Sequence, residues 1–496
     1  MPREYILAVD QGTTSTRSVI FDKSGRPLGL AQKPHRQIFP QEGWVSHDAE
    51  EIFANTVETI HKAIADTGIE KENLAAMGIT NQRETLVLWD RRTGNPVCDA
   101  IVWQCRRSAD ICARMEEDGM AGLVREKTGL LIDPYFTATK IKWAIENIPQ
   151  VRPLMESGNL LAGTVDSFLI YRLSGGKAHI TDYTNAGRTM LFDIVKGRWD
   201  KEILDYFGLD EKILPQVVSS SGVVAHTAAE FLDIPVAGIA GDQHAALFGQ
   251  AGINPGDAKN TYGTGCFLLK NIGNEPIMKS SKLLTTIAWH INGETTYALE
   301  GSVFNAGSAV EWLMRELKLV NNVEEINEIV NRTSNTGGAY FVPAFSGLGA
   351  PYWDMYARGT ICGLSLSTGK DHIVRAVMES VAFQSRDLID YMNELANMPL
   401  SKLQVDGGVS KSDFTMQFQA DLLGIPVERP RYTETTVLGA ALLAALGVGL
   451  YSNIEEVARL REVDKVFEPT GDGPAMEERY ILWKKAVKRA EGWLSA

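Results

Sequence analysis

The sequence predicts an α/β protein built from more than one domain, and three observations carry this. At 496 residues the chain is too long for one hydrophobic core, so two to three domains are expected. Short apolar, strand-like runs alternate with amphipathic, helix-like segments along its length. In both halves, an apolar strand repeatedly delivers an acid, a glycine and a threonine or serine into a tight turn.

The first elements form a meander. Tyr5–Asp10 reads as a buried strand, Arg17–Asp22 as a second and Leu28–Ala31 as a third, with "DKSGRP" as the turn between the last two. Asp48–Thr67 reads as a helix: Ile52, Phe53, Val57, Ile60 and Ile64 share one face, and Gly68 follows as a stop. Leu74–Thr80 is a strand running into "NQRET", and Leu86–Trp89 with "RRTGN" predicts a hairpin. Later, "VAGIAGDQHAALFG" gives a strand and a helix start, and "AKNTYGTGCFLLKN" a hairpin bent at Gly263-Thr264-Gly265. "LQVDGGVSKSDFTMQFQADLLG" gives strand, Gly407-Gly408 turn and helix, with Ser410 and Asp413 spaced as a capping box. Val437–Leu450 is too short for a bilayer and reads as a buried helix. The pattern breaks at Gly249–Gly256, which divides the chain into residues 1–250 and 251–496.

Composition narrows the function. The net charge of −13 argues against a nucleic-acid binder, which needs a basic footprint. Five cysteines, an odd count in a long chain, fit a reducing compartment. Cys98, Cys105 and Cys112 are evenly spaced, but no C-x-x-C or histidine accompanies them, so core packing is expected rather than a metal. The apolar run Tyr5–Val9 is too short for a signal peptide, and a cytoplasmic protein is expected.

The turns suggest phosphate chemistry. In "DQGTTSTR", Gly12 permits close backbone approach, Thr13, Thr14 and Ser15 supply hydroxyl donors, and Arg17 adds a cation. Asp10 suits Mg²⁺, a hard cation that prefers oxygen. The stretch reads as half of a nucleotide-phosphate site or as a polar hairpin turn. Neither a P-loop nor a G-x-G-x-x-G is present. The Gly263-Thr264-Gly265 and Gly407-Gly408 turns favour the first reading, because three such turns can surround one nucleotide in a cleft. For a second substrate, Arg83 beside Glu84 offers a donor and an acceptor to hydroxyls, or else forms a surface ion pair. Asp242, followed by Gln243, suits a general base or a helix N-cap. Trp103, Tyr135 and Phe267 read as apolar walls or as core.

Taken together, "DQGTTSTR", "ITNQRET", "IVWQCRR", "DPYFTATKIKW", "AGDQHAALFGQ", "NTYGTGCFLL", "GLGAPYWD" and "VDGGVSKSDFTMQFQADLLG" resemble the FGGY carbohydrate kinases over nearly the whole chain, and within them those acting on glycerol. The resemblance implies two actin-like (ribonuclease H-like) ATPase domains flanking a nucleotide-binding cleft. Residues 1–250 would bind polyol and phosphate, and residues 251–496 the nucleotide. It implies transfer of the ATP γ-phosphoryl to glycerol, giving sn-glycerol 3-phosphate, with Mg²⁺. By resemblance, Arg83, Glu84, Tyr135, Asp242 and Gln243 hold the polyol, with Trp103 and Phe267 as walls and Asp242 as proton acceptor. Thr14, Arg17 and Thr264 match phosphate contacts, while Gly307, Gly408 and Ser412 match the nucleotide cradle. Asp10, with Asp242, matches the carboxylates for Mg²⁺.

Two positions depart from the family pattern near the adenine: Ser412 stands where many members have asparagine, and Glu311 where many have glutamine. Residues 223–235, "VVAHTAAEFLDIP", lack the Gly-rich, Arg-bearing loop with which some members bind fructose 1,6-bisphosphate, so insensitivity to that effector is expected. Many relatives are dimers or tetramers, which implies a homo-oligomer here. Two alternatives stand beside this reading: a family member acting on xylulose, ribulose or gluconate, and a structural actin-like ATPase.

Overall fold

The computed structural model of the chain describes residues 3–279 and 281–494. Two mixed sheets organise it. The first contains β1 (Tyr5–Gln11), β2 (Ser15–Phe21), β3 (Pro27–Pro34), β4 (Leu74–Asn81), β5 (Ser221–His226) and β6 (Pro235–Gly241), in the order β5-β6-β4-β1-β2-β3. The second contains β7 (Ala258–Tyr262), β8 (Cys266–Gly273), β9 (Leu284–Ile291), β10 (Glu294–Val303), β11 (Leu403–Asp406), β12 (Val427–Pro430) and β13 (Val463–Phe467), in the order β9-β10-β8-β7-β11-β12-β13.

The sheets repeat one plan. In the first, β3, β2 and β1 run as an antiparallel meander, β4 and β6 extend it in parallel, and antiparallel β5 closes the edge. In the second, β10, β8 and β7 form the antiparallel part, β11 and β12 the parallel part, and β13 the closing edge. The parallel strands are buried on both faces, which is why "LAAMGITN" and "PVAGIAG" read as almost unbroken small or apolar runs. The recurring strand–acid–glycine turns are therefore the same corner of two related sheets.

Seven helices matter below: α1 (Ala49–Thr67), α2 (Thr137–Asn147), α3 (Asp242–Gly249), α4 (Gly307–Arg315), α5 (Lys370–Ala396), α6 (Asp413–Leu423) and α7 (Thr435–Gly447). The α1 prediction holds, with Asp48 capping the Glu50 and Glu51 amides and Gly68 ending the helix at φ +65°. One local expectation is extended and one needs correction. The segment after "RRTGN" folds back as the expected short hairpin, bridged at Trp89–Pro96 and Leu86–Ile101, with the Val97 amide donating to the Leu88 carbonyl at 2.8 Å, and Val87–Asp90 also pairs with the strand Leu160–Gly163. Ser410 does not cap α6. Its hydroxyl donates to the Gly407 carbonyl, and Ser412 is the cap, accepting from the Thr415 amide.

Helix α7 comes from the second half of the sequence but packs on the first sheet. Val437, Ala440, Ala441, Leu443 and Ala444 are buried in one cluster with Ile6, Ala8, Ala76, Ala237 and Ala240 of that sheet. Glycines permit the approach. A Cβ on Gly78 of β4 would run into the Ala440 carbonyl, and one on Gly439 into the Ala245 carbonyl of α3. Gly439→Ala is expected to destabilise the fold by about 1–3 kcal/mol, the scale of overpacking. An unchanged melting temperature would refute this account of the contact. Among the described residues no helix is long and apolar enough to cross a membrane.

Candidate functional site

The turn after β4 places Arg83 and Glu84 inside the molecule. Glu84 takes φ +59°, a left-handed conformation uncommon for a residue with a Cβ, and its side chain turns inward. The pair is no surface ion bridge: both side chains are buried and their own contact is loose, at 3.9 Å. Each is held instead by a distant partner. Arg83 donates with two nitrogens to the two Glu300 oxygens, at 2.6 and 3.0 Å. Arg188 Nε donates to Glu84 Oε1 at 2.6 Å, and Arg188 Nη2 to Glu300 Oε1 at 3.1 Å. Two guanidinium groups and two carboxylates thus form a closed, buried ring. Burial pushes the Glu300 carboxyl up, but Arg188 and Arg83 outweigh it and hold the group well below the usual range. Burial dominates at Glu84, whose carboxyl is raised despite Arg188 and Arg83. Glu84 Oε2 and Arg188 Nη1 are buried without a hydrogen-bond partner among the described residues, an arrangement that suits a polyhydroxyl ligand.

Asp242 opens α3 beside this ring. It is not the N-cap, which is Gly241, but the first helical residue. Its Oδ1 accepts from the Gln243 amide at 2.7 Å and pairs with Arg83 Nε at 3.1 Å. The side chain remains about 31% exposed and so is open to a ligand. Gln243 is buried, and its Oε1 accepts from Lys259 Nζ on β7. Lys259 also donates to Thr261 Oγ1 at 2.9 Å and to the Phe267 carbonyl at 3.3 Å, joining Gln243 to the hairpin that carries Phe267. Burial lowers the Lys259 ammonium to about 8, with Asp406 and Asp242 opposing the shift.

The aromatic wall connects to the first turn. Trp103 and Tyr135 meet edge to face at 5.5 Å, and Trp103 Nε1 donates to Thr13 Oγ1 at 2.9 Å. The Thr13 carbonyl accepts from His35 Nε2 and Gln37 Nε2, both at 2.9 Å. The turn is closed by the Gly12 amide on the Ser15 carbonyl at 3.0 Å. Asp10 and Arg17 face each other in the β1–β2 register, on either side of Thr14. Desolvation pushes the Asp10 carboxyl up to about 7, Arg17 opposes this, and the Asp242 and Glu434 charges add to it. Arg17 pairs with Glu434, the residue before α7.

The second sheet supplies the other turns. Thr264 is exposed at the β7–β8 bend, where its carbonyl accepts from the Ala306 and Ser308 amides at 2.9 and 3.1 Å. Gly307 donates to the Gly263 carbonyl at 2.9 Å, and a Cβ on Gly307 would lie 2.6 Å from that oxygen. The bend and the start of α4 are therefore locked together. Gly408 follows β11 and Ser412 caps α6. Glu311 lies on an exposed face of α4, 3.9 Å from Arg315, and no hydrogen bond or ion pair among the described residues joins it to Ser412.

The structure thus brings Arg83, Glu84, Tyr135, Asp242, Gln243 and Trp103 into one cluster, with Phe267 and the Thr13 turn at its edges. Sequence reasoning missed Glu300, Arg188, Lys259 and Glu434. The available signal was a charge directly after an apolar run within a strand, as at Glu300 after "YAL" in Glu294–Val303.

Both halves of the chain match known proteins. The family models for the N-terminal and C-terminal domains of the FGGY family of carbohydrate kinases match residues 5–249 and 258–448. The chain is 52% identical to glycerol kinase 2 of Thermotoga maritima, with 99% of each chain covered. It is 50% identical to glycerol kinase of Pseudomonas putida strain F1, over 99% of this chain and 98% of that one. The crystal structure of Plasmodium falciparum glycerol kinase with ADP superposes with a TM-score of 0.93 at 36% identity, covering 98% of both chains. The duplicated sheets are accordingly two actin-like, ribonuclease H-like domains. With both domains accounted for, the chain belongs to the FGGY family of carbohydrate kinases.

Proposed function

We infer that the chain transfers the γ-phosphoryl group of ATP to a terminal hydroxyl of glycerol, giving sn-glycerol 3-phosphate. The observation that carries this reading is Glu84 Oε2, buried and unpartnered beside Asp242, in a chain about half identical end to end to proteins named glycerol kinase. Short polyols present adjacent hydroxyls, each both donor and acceptor, and the ring of guanidinium and carboxylate groups matches them. Arg83, Glu84, Tyr135, Asp242 and Gln243 hold the hydroxyls, while Trp103 and Phe267 flank the carbons. Thr13, Thr14, Ser15 and Arg17, with Thr264, hold phosphate. Gly307, Glu311, Gly408 and Ser412 serve the nucleoside side.

Asp242 accepts the hydroxyl proton as the new P–O bond forms and the bond to the ADP oxygen breaks. Because phosphoryl transfer passes through a loose transition state, alignment and charge contribute more than base strength. Asp10 and Asp242 fit Mg²⁺, which takes one or two carboxylates beside substrate phosphates. Burial does most to raise the Asp10 carboxyl, and the Asp242 charge adds to it, a repulsion that a cation would relieve. When bound, Mg²⁺ supplies charge neutralisation on the phosphates. We place the protein in the cytoplasm, where its five free cysteines stay reduced, and propose a homodimer or homotetramer on the family resemblance.

The test is ADP release with ATP, Mg²⁺ and glycerol, xylulose, ribulose or gluconate, beside a reaction without acceptor. Turnover with glycerol is expected. Preference for a pentulose, or equal turnover without acceptor, would overturn the glycerol reading.

A further inference from the structure

Lys140 lies on α2 and is completely buried. Its ammonium donates to two backbone carbonyls, Glu84 O at 3.0 Å and Tyr135 O at 2.5 Å. Thr137 Oγ1, one turn earlier, donates to the same Glu84 carbonyl at 3.2 Å. The Ala138 amide, also in the first turn of α2, donates to the Thr189 carbonyl at 2.8 Å, next to Arg188. One helical turn therefore holds the backbones of Glu84 and Tyr135 and the residue beside Arg188.

We propose that Lys140 is a positioning residue for the acceptor site, holding Glu84 in its left-handed conformation so that its carboxylate enters the buried ring and faces the acceptor. This rests on the reading of Glu84 and Tyr135 as acceptor contacts. The left-handed backbone is uphill for glutamate, and relaxation to an ordinary φ would swing the side chain away from Arg188. Two carbonyls converging on one point in the interior need a donor that reaches both. A cation with several N–H groups does this, whereas an apolar side chain of the same length takes this donor from the Tyr135 carbonyl and leaves the Glu84 carbonyl with Thr137 Oγ1 alone. The same ammonium fixes Tyr135, whose ring packs on Trp103 and lies 5.6 Å from the Arg188 guanidinium.

The test compares wild type with Lys140→Met, which keeps length but loses every donor, and Lys140→Gln, which keeps two N–H donors. The assay uses whichever acceptor of the glycerol, xylulose, ribulose and gluconate panel the wild type turns over fastest. Kinetics are normalised to the folded fraction found by thermal unfolding. Lys140→Met should raise the acceptor KM by about 10–100-fold, the scale of losing hydrogen bonds to a charged group. The KM for ATP should stay within about threefold, and Lys140→Gln should show a smaller acceptor shift. Acceptor KM unchanged in Lys140→Met, or acceptor and ATP KM rising together, would overturn the proposal. If the Met variant does not fold, the Gln variant decides by the same split. A wild type that prefers a pentulose refutes glycerol as the substrate while leaving the Lys140 shift measurable.

Discussion

Replacing Asp242 by asparagine is expected to lower kcat for glycerol phosphorylation by about 10²–10⁴-fold, the scale of removing a general base. The substitution is nearly isosteric, and an amide oxygen still accepts from the Gln243 amide, so the first turn of α3 keeps its shape. Arg83 remains fixed by its two bonds to Glu300. What is lost is a proton acceptor and a negative charge beside Asp10. Since alignment carries much of the rate in a loose transition state, the loss should fall nearer the lower end of that range. Steady-state kinetics beside glycerol-induced thermal protection would check this. A variant within tenfold of wild type would remove Asp242 from the proton-transfer role.

Glu300→Leu is expected to destabilise the protein by about 3–5 kcal/mol, because removing one member of a buried charge group leaves uncompensated charge. Here two guanidinium groups lose a shared partner. Arg83 keeps Asp242 and Arg188 keeps Glu84, which places the expectation at the lower end. Denaturant unfolding measures the loss, and the KM for glycerol should rise with it because Arg83 is no longer aimed. Glu300→Gln keeps the shape and half the hydrogen-bonding capacity and should lose less on both counts. Full stability in Glu300→Leu would mean the ring contributes little to the fold.

How much of this was legible follows from what each signal depends on. Strand–turn grammar is local, so β1, β2, β4 and the β7–β8 hairpin were found within a few residues, and α1 with its Asp48 cap and Gly68 stop likewise. Arg83, Glu84, Asp242 and Gln243 were visible because polar residues interrupt apolar elements there. Their real partners were not. Glu300 is 217 residues from Arg83 in sequence and meets it only because β10 of the second sheet passes behind the β4 turn of the first. Ser410 looked like a cap by spacing alone, but a short 3₁₀ turn over Val409–Lys411 shifts the helix start and gives the role to Ser412. Lys140 lies within "DPYFTATKIKW", but nothing there distinguishes it from Lys142, since a lysine within a helix is ordinarily solvated.

The packing of α7 on the first sheet has a further consequence. A protein cut after residue 250 would not yield two independent cassettes. The first fragment would present bare glycine and alanine where Gly78 and Gly238 now meet α7, and the second would carry an apolar helix with nothing to lie against. Splitting this enzyme for use as a reporter would require the fragments to reassemble through that helix. A circular permutation opened in a surface loop would keep the helix and its sheet on one chain.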